Sequence, residues 1–227
     1  MAPLAPLVAV IGCDGSGKST LAEALVAEYF GIQPVSYVYL GTRSGAIGKV
    51  IKQWPIIGPA LERRLTKRAS QARDTKQKIP DNLTAVIIYL LSVLRMHRFR
   101  QTLNHRKAGR MVITDRYPQF EVPGFYDGPG LSAAQPNSRF VAWLAKRERL
   151  KYARMTAYVP TLVIRINIDI KTALARKPDH ARDLLEKKIM VTPMLTFAGA
   201  PIVELDGREA FPIVKAKAIA AIDAALT

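Results

Sequence analysis

Lys18, Ser19 and the glycines ahead of them are the residues best suited to chemistry in this chain. They lie in Gly12-Cys13-Asp14-Gly15-Ser16-Gly17-Lys18-Ser19-Thr20, which fits G-x-x-x-x-G-K-[ST] without a gap. Glycine permits backbone conformations closed to other residues, so the N–H groups of such a turn can point inward and cradle phosphate oxygens. Gly12, Asp14, Gly15, Ser16, Gly17 and Thr20 then belong to the cradle. Lys18 reaches the β- and γ-phosphates, and the Ser19 hydroxyl binds Mg²⁺. This predicts binding of ATP with Mg²⁺. It leaves open what becomes of the γ-phosphate.

Asp115-Arg116 bears on that question. A carboxylate at the end of a buried strand beside the phosphate loop can hold Mg²⁺ through water or orient an attacking oxygen. An adjacent arginine can grip an acceptor's phosphate with its planar fork. Lys18, Asp115 and Arg116 therefore read as catalytic, with Ser19 and Asp115 as the metal ligands. Arg43, in the loop Gly41-Thr42-Arg43-Ser44-Gly45, is a further candidate phosphate contact.

These residues need a sheet edge to hold them. Leu7 to Ile11 is an apolar run of the kind found in buried parallel strands, and the helical pattern Leu21, Leu25, Phe30 follows the loop. Val35–Leu40, Met111–Thr114, Thr161–Ile168 and Ile202–Leu205 read as four more strands. A long helix begins at Pro80-Asp81-Asn82, capped by Asp81 or Asn82, and ends before Gly109. Its first half is apolar all round and is expected to cross the core. Its second half carries His97 and His105, both expected at the surface. Residues 46–60 look irregular, and 61–78 look helical and basic. Residues 118–137 form a long loop rich in Gly, Pro and aromatics, a type that is usually functional or mobile. Further helices run from Ser138 to Thr156, from Asp169 or Thr172 to Arg176, and from Phe211 to Leu226. The alternation predicts an α/β P-loop NTPase fold: a parallel sheet of about five strands with helices on both faces, in a single domain spanning 1–227. The stretch from Lys177 to Lys188 is charged and holds Pro178 and His180.

At this level the chain resembles the thymidylate kinase family of P-loop nucleotide kinases. Cys13 to Thr20 resembles that family's x-D-G-x-G-K-S-T loop, and Asp115-Arg116-Tyr117 resembles its D-R-Y. Asp169-Ile170-Lys171-Thr172-Ala173-Leu174-Ala175-Arg176 resembles the family's helix leading into its lid, which implies a mobile lid near 176–190 that would exclude water as a competing acceptor. The resemblance implies that Asp14 contacts the acceptor, Arg116 its phosphate and Arg176 the transferred group. It also puts Tyr117 and Arg95 on the acceptor side. The implied reaction moves the γ-phosphoryl of Mg-ATP to a nucleoside monophosphate such as dTMP. Several motifs depart from the family. Ile11 replaces a glutamate, Gly41–Gly45 replaces R-E-P-G, and Pro118-Gln119-Phe120-Glu121 replaces S-x-x-A-Y-Q. Arg95 is one position off the family's helix arginine, and Tyr89 and Phe99 are poorly placed to stack on a base. A nucleoside or a sugar phosphate is therefore an alternative acceptor.

Composition narrows the classes. The net charge is +16, from 34 Lys and Arg against 18 Asp and Glu. That raises the alternative of a P-loop NTPase with a basic nucleic-acid-binding surface. No recognition motif accompanies the charge, and enzymes of phosphorylated substrates also gather cations, so a small-molecule acceptor is the expected partner. Homodimerisation stays open. No apolar run nears the ~20 residues that span a bilayer. The N-terminus lacks the basic region of a secretory signal, and Cys13 is the single cysteine. The expected location is the cytoplasm.

Overall fold

The computed structural model describes residues 3–41, 82–132 and 135–227. The readings made for Arg43, for the segments 46–60 and 61–78, and for Asp81 as a cap lie outside the described residues.

Five parallel strands form one sheet: β1 (Leu7–Gly12), β2 (Val35–Tyr39), β3 (Met111–Asp115), β4 (Leu162–Asn167) and β5 (Ile202–Asp206), in the order β2-β3-β1-β4-β5. The helices are α1 (Lys18–Tyr29), α2 (Asn82–Lys107), α3 (Arg139–Thr156), α4 (Ile170–Arg176), α5 (Arg182–Val191) and α6 (Phe211–Leu226). β1 is central, and every one of its residues is buried. Its side chains alternate between two cores. Val8 and Val10 face Leu21 and Leu25 of α1 and Val214 and Ala218 of α6. Leu7, Ala9 and Ile11 face the other side, with Phe99 of α2 and Tyr152 and Met155 of α3. Helices cover both faces, and the central strand β1 is apolar throughout, as expected of a doubly covered parallel strand. The chain crosses from one side of β1 to the other between β3 and β4. That switch point opens a crevice at the carboxyl ends of β1 and β3, where the phosphate loop and Asp115 emerge.

Among the described residues, the predicted strands and helices agree with the structure in type and order. Gly109 adopts φ 74°, the left-handed geometry that ends a helix, and Asp169 caps α4 by accepting from Thr172 N at 2.7 Å. One expectation is corrected. The apolar first half of α2 does not cross the core: Leu83 is 55% exposed and Leu90 57%. A single stripe, including Ala85, Val86, Ile88 and Tyr89, meets Leu131, Val141 and Leu144. Burial on this half of α2 is therefore partial, and overall apolar content overstated it. The loop after β3 is also more than a connection. Tyr126 and Leu131 are buried, and Leu131 N and Gly130 N donate to the buried Glu148 carboxylate at 2.7 and 3.2 Å. Burial raises the Glu148 pKa, and the hydrogen bonds from Ser92, Leu131 and Gly130 work against that rise.

Candidate active site at the phosphate loop

The loop after β1 depends on its glycines through close approach and backbone sign. A Cβ on Gly12 would lie 2.7 Å from Ile166 O and 2.4 Å from Ser16 Oγ. Gly17, at φ 89°, is the N-cap of α1 and offers no side-chain cap to the first-turn amides. Those amides and the positive end of the α1 dipole are aimed at the loop, a ready anion site.

Lys18 is buried in the loop, donates to Cys13 O at 3.1 Å, and lies 3.6 Å from Asp14 Oδ1. Burial pulls its pKa down, as does Arg116, and Asp14 and Asp115 oppose them. The Ser19 hydroxyl donates to Asp115 Oδ2 at 2.6 Å, joining the loop to the end of β3. Tyr37 also donates to that oxygen, at 3.4 Å. Asp115 Oδ1 is buried without a hydrogen-bond partner. A hydroxyl beside a carboxylate with a spare oxygen is a hard donor set, and these residues fit a Mg²⁺ ion. No group of three or more His, Cys, Asp or Glu capable of holding a metal occurs among the described residues.

Around this pair runs a chain of alternating charge. Arg116 follows Asp115 at φ 74°, an uncommon conformation for a residue with a Cβ and one that gathers at functional sites. It donates from Nη2 to Asp14 Oδ1 at 2.9 Å and from Nη1 to Asp127 Oδ2 at 3.3 Å, while its Nε is buried without a partner. Burial works against the Arg116 charge, yet Asp127, Tyr126 and Asp14 hold its pKa well above the ordinary arginine value. Asp127 in turn binds Arg95, whose Nε donates to Leu40 O at 2.8 Å and Nη1 to Tyr152 Oη at 2.7 Å. Burial alone would raise the Asp127 pKa, but Arg95 and Arg116 lower it. The same balance acts on Asp14, where Lys188, Lys18 and Arg116 overcome burial and hold the carboxyl far below its usual range. Asp127 stands at φ 61° and its neighbour Tyr126 at φ 35°. The Tyr126 hydroxyl donates to Gly12 O at 2.9 Å, so the long loop props both the phosphate loop and Arg116.

On the lid side, Arg176 donates to Gly15 O at 3.1 Å and to Gly207 O at 2.9 Å, clamping the phosphate loop to the turn after β5. Leu185 and Ile189 of α5 pack with Cys13, and Lys188 Nζ is bonded to Asp14 Oδ2. Beside the clamp, at the carboxyl ends of β4 and β5, opens a cavity of about 480 Å³ lined by Asn167, Asp169, Glu204, Asp206 and Arg208 among others.

Lys18, Ser19, Asp14, Asp115, Arg116 and Arg176 are thus brought together. Two expected acceptor residues are placed differently. Arg95 lies behind Arg116, its guanidinium engaged by Leu40, Asp127 and Tyr152. Tyr117 belongs to the core beside Phe99 and Phe197, and its hydroxyl donates to Tyr158 O, away from the loop. Tyr126, Asp127 and Lys188 were not singled out from sequence. Asp127 carried no local signal, since Asp-Gly in a Gly- and Pro-rich loop reads as an ordinary surface turn. Lys188 lies three positions after Leu185, on the face that packs against the loop.

No family model matches the chain. Over 222 residues it is 46% identical to the uncharacterized ATP-binding protein YghS of Escherichia coli (strain K12), covering 97% of this chain and 94% of that protein. Over 217 residues it is 41% identical to the uncharacterized ATP-binding protein YghR of the same strain, covering 95% of this chain and 86% of that protein. With its P-loop sheet intact and identity of this degree over nearly its whole length, the chain belongs to the family of YghS and YghR.

Proposed function

We propose that this protein is an ATP-dependent phosphotransferase that moves the γ-phosphoryl group of Mg-ATP to a small-molecule acceptor. The observation that carries the reading is the Ser19–Asp115 pair, 2.6 Å apart beneath Lys18, with Asp115 Oδ1 left over for a metal or its water. The ATP-binding names of YghS and YghR support the donor. Ser19 and Asp115 hold Mg²⁺, which supplies charge neutralisation on the phosphates when bound. The loop amides and Lys18 hold the β- and γ-phosphates, and Arg176 keeps the loop in shape through Gly15. The cavity beside Asp169 and Asp206 lies where the nucleoside of the donor can extend from the loop. Arg116, fixed between Asp14 and Asp127, faces the acceptor, and Asp14 meets it from the loop. Little proton chemistry is needed, because positioning and charge neutralisation lower most of the barrier in phosphoryl transfer.

The acceptor implied by the resemblance is a nucleoside monophosphate such as dTMP. A second reading, with a nucleoside or sugar phosphate, is favoured by the placement of Arg95, Tyr117 and Phe99. All three are engaged in the interior and offer no face to a base. ATP consumption measured across nucleoside monophosphates, nucleosides and sugar phosphates tests both readings. Acceptor-dependent consumption with one class identifies the substrate. Consumption that no acceptor stimulates rejects the kinase.

A further inference from the structure

Asp14 carries more positive charge around it than one carboxylate requires. Arg116 Nη2 is 2.9 Å from Oδ1, Lys18 Nζ is 3.6 Å from Oδ1, and Lys188 Nζ is bonded to Oδ2, with His180 Nε2 at 4.0 Å. Two of these partners are fixed. Lys18 is buried in the loop, and Arg116 is held from its far side by Asp127. Lys188 is different. Its backbone is fastened: Leu185 and Ile189 pack on Cys13, Thr192 Oγ1 donates to Lys188 O at 2.6 Å, and Arg165 donates to Pro193 O at 3.1 Å just beyond. Its side chain is a flexible four-carbon stem, 28% exposed, ending in a single ammonium. It can change partner without moving its helix.

A triphosphate in the loop brings a second, stronger anion within reach of the same ammonium. Two arginines of the same segment are less available. Arg176 is bonded to the carbonyls of Gly15 and Gly207, and Arg182 pairs with Glu186 at 2.7 Å while 68% exposed. We propose that Lys188 is a switching cation: it exchanges Asp14 for the γ-phosphoryl group of the donor, and so frees Asp14 for the acceptor only once the donor is bound. Donor binding then precedes productive acceptor binding. The inference rests on the reading of the loop as an ATP site.

The test is nucleotide binding by calorimetry, with Mg²⁺ and either the non-hydrolysable analogue AMP-PNP or ADP. Lys188→Ala should weaken AMP-PNP by ~10-fold while leaving ADP nearly unchanged, because only AMP-PNP presents the γ group. Lys188→Arg should recover most of the loss. Asp14→Asn removes the competing anion, so it should tighten AMP-PNP by ~3-fold in the wild-type background and have no such effect in Lys188→Ala. A Lys188 with a purely structural role predicts equal loss of both nucleotides, and either that result or independent, additive effects of the two substitutions overturns the switch. The Ala-to-Arg comparison decides even if Asp14→Asn disturbs the loop. If wild-type protein binds neither nucleotide, the donor reading fails and the switch with it. If it binds both and Lys188→Ala changes neither, the switch alone fails.

Discussion

At the scale of single residues, the site is an exercise in keeping charges buried and paired. Asp127 sits between Arg95 and Arg116, and removing one partner of such a set leaves uncompensated charge. Asp127→Asn should lower stability by ~3 kcal/mol or more at neutral pH. The pH dependence follows from the direction of the shift. The folded pKa of Asp127 is depressed below its ordinary 3.8, so its contribution is complete above that value and is lost as the pH falls through the folded pKa. Urea midpoints of wild type and Asp127→Asn should differ by a constant amount from pH 5 to 8 and converge below about pH 4. Convergence between pH 5 and 7 would assign the difference to another group. Lys18, Ser19 and Asp115 were legible in the sequence because a contiguous motif and a strand end announce them. Asp127 was not, because its partners are 11 and 32 positions away and only the folded chain brings them together.

At the scale of elements, the segment expected to be a lid contains two short helices, α4 and α5, that rest on the phosphate loop. Cys13 shares a small apolar cluster with Ile168, Ala173 and Leu185, so loop and lid are packed against each other. Sequence could not tell which cation of this segment faces the loop, since Arg176, Lys177, Arg182 and Lys188 differ little in type. The structure separates them by contact. Arg176 clamps Gly15 to Gly207, and Arg182 lies 68% exposed against Glu186. Arg176→Ala should lower kcat by ~10²-fold or more, with a smaller change in KM for ATP. Arg182→Ala should stay within about 2-fold of wild type, as expected when an exposed i, i+4 pair is removed. Steady-state kinetics on both variants checks this, and the reverse order of effects would contradict the importance of the Gly15–Gly207 clamp. The misjudged element is α2. An apolar composition all round was read as full burial, whereas Leu83 and Leu90 stay more than half exposed and the buried stripe includes Ser92, Arg95 and Thr102. Periodicity reports which residues can face a core, and the neighbours decide which do.

At the scale of the molecule, a parallel sheet with its switch point beside β1 puts the loop and Asp115 at one edge; the parallel sheet followed from the order of strand and helix patterns, and the strand order came from the structure. The acceptor did not follow, because its contacts come from loops whose conformation depends on distant partners. The net charge of +16 is the other global property. If it serves phosphorylated small molecules and solubility, duplex DNA and RNA should bind only weakly at physiological salt, with Kd no tighter than the ~10⁻⁶ to 10⁻⁴ M of non-specific contacts. Nanomolar, sequence-dependent binding in a fluorescence titration would favour the nucleic-acid reading instead. The central claim is transfer of a phosphoryl group, and the fate of a labelled γ-phosphate tests it most directly. With [γ-³²P]ATP and Mg²⁺, wild-type protein should place the label on one acceptor class from the panel, and Lys18→Ala, folded by circular dichroism, should reduce that transfer by ~10²-fold or more. Label that appears only as inorganic phosphate with every acceptor, or transfer undiminished by Lys18→Ala, would contradict the account.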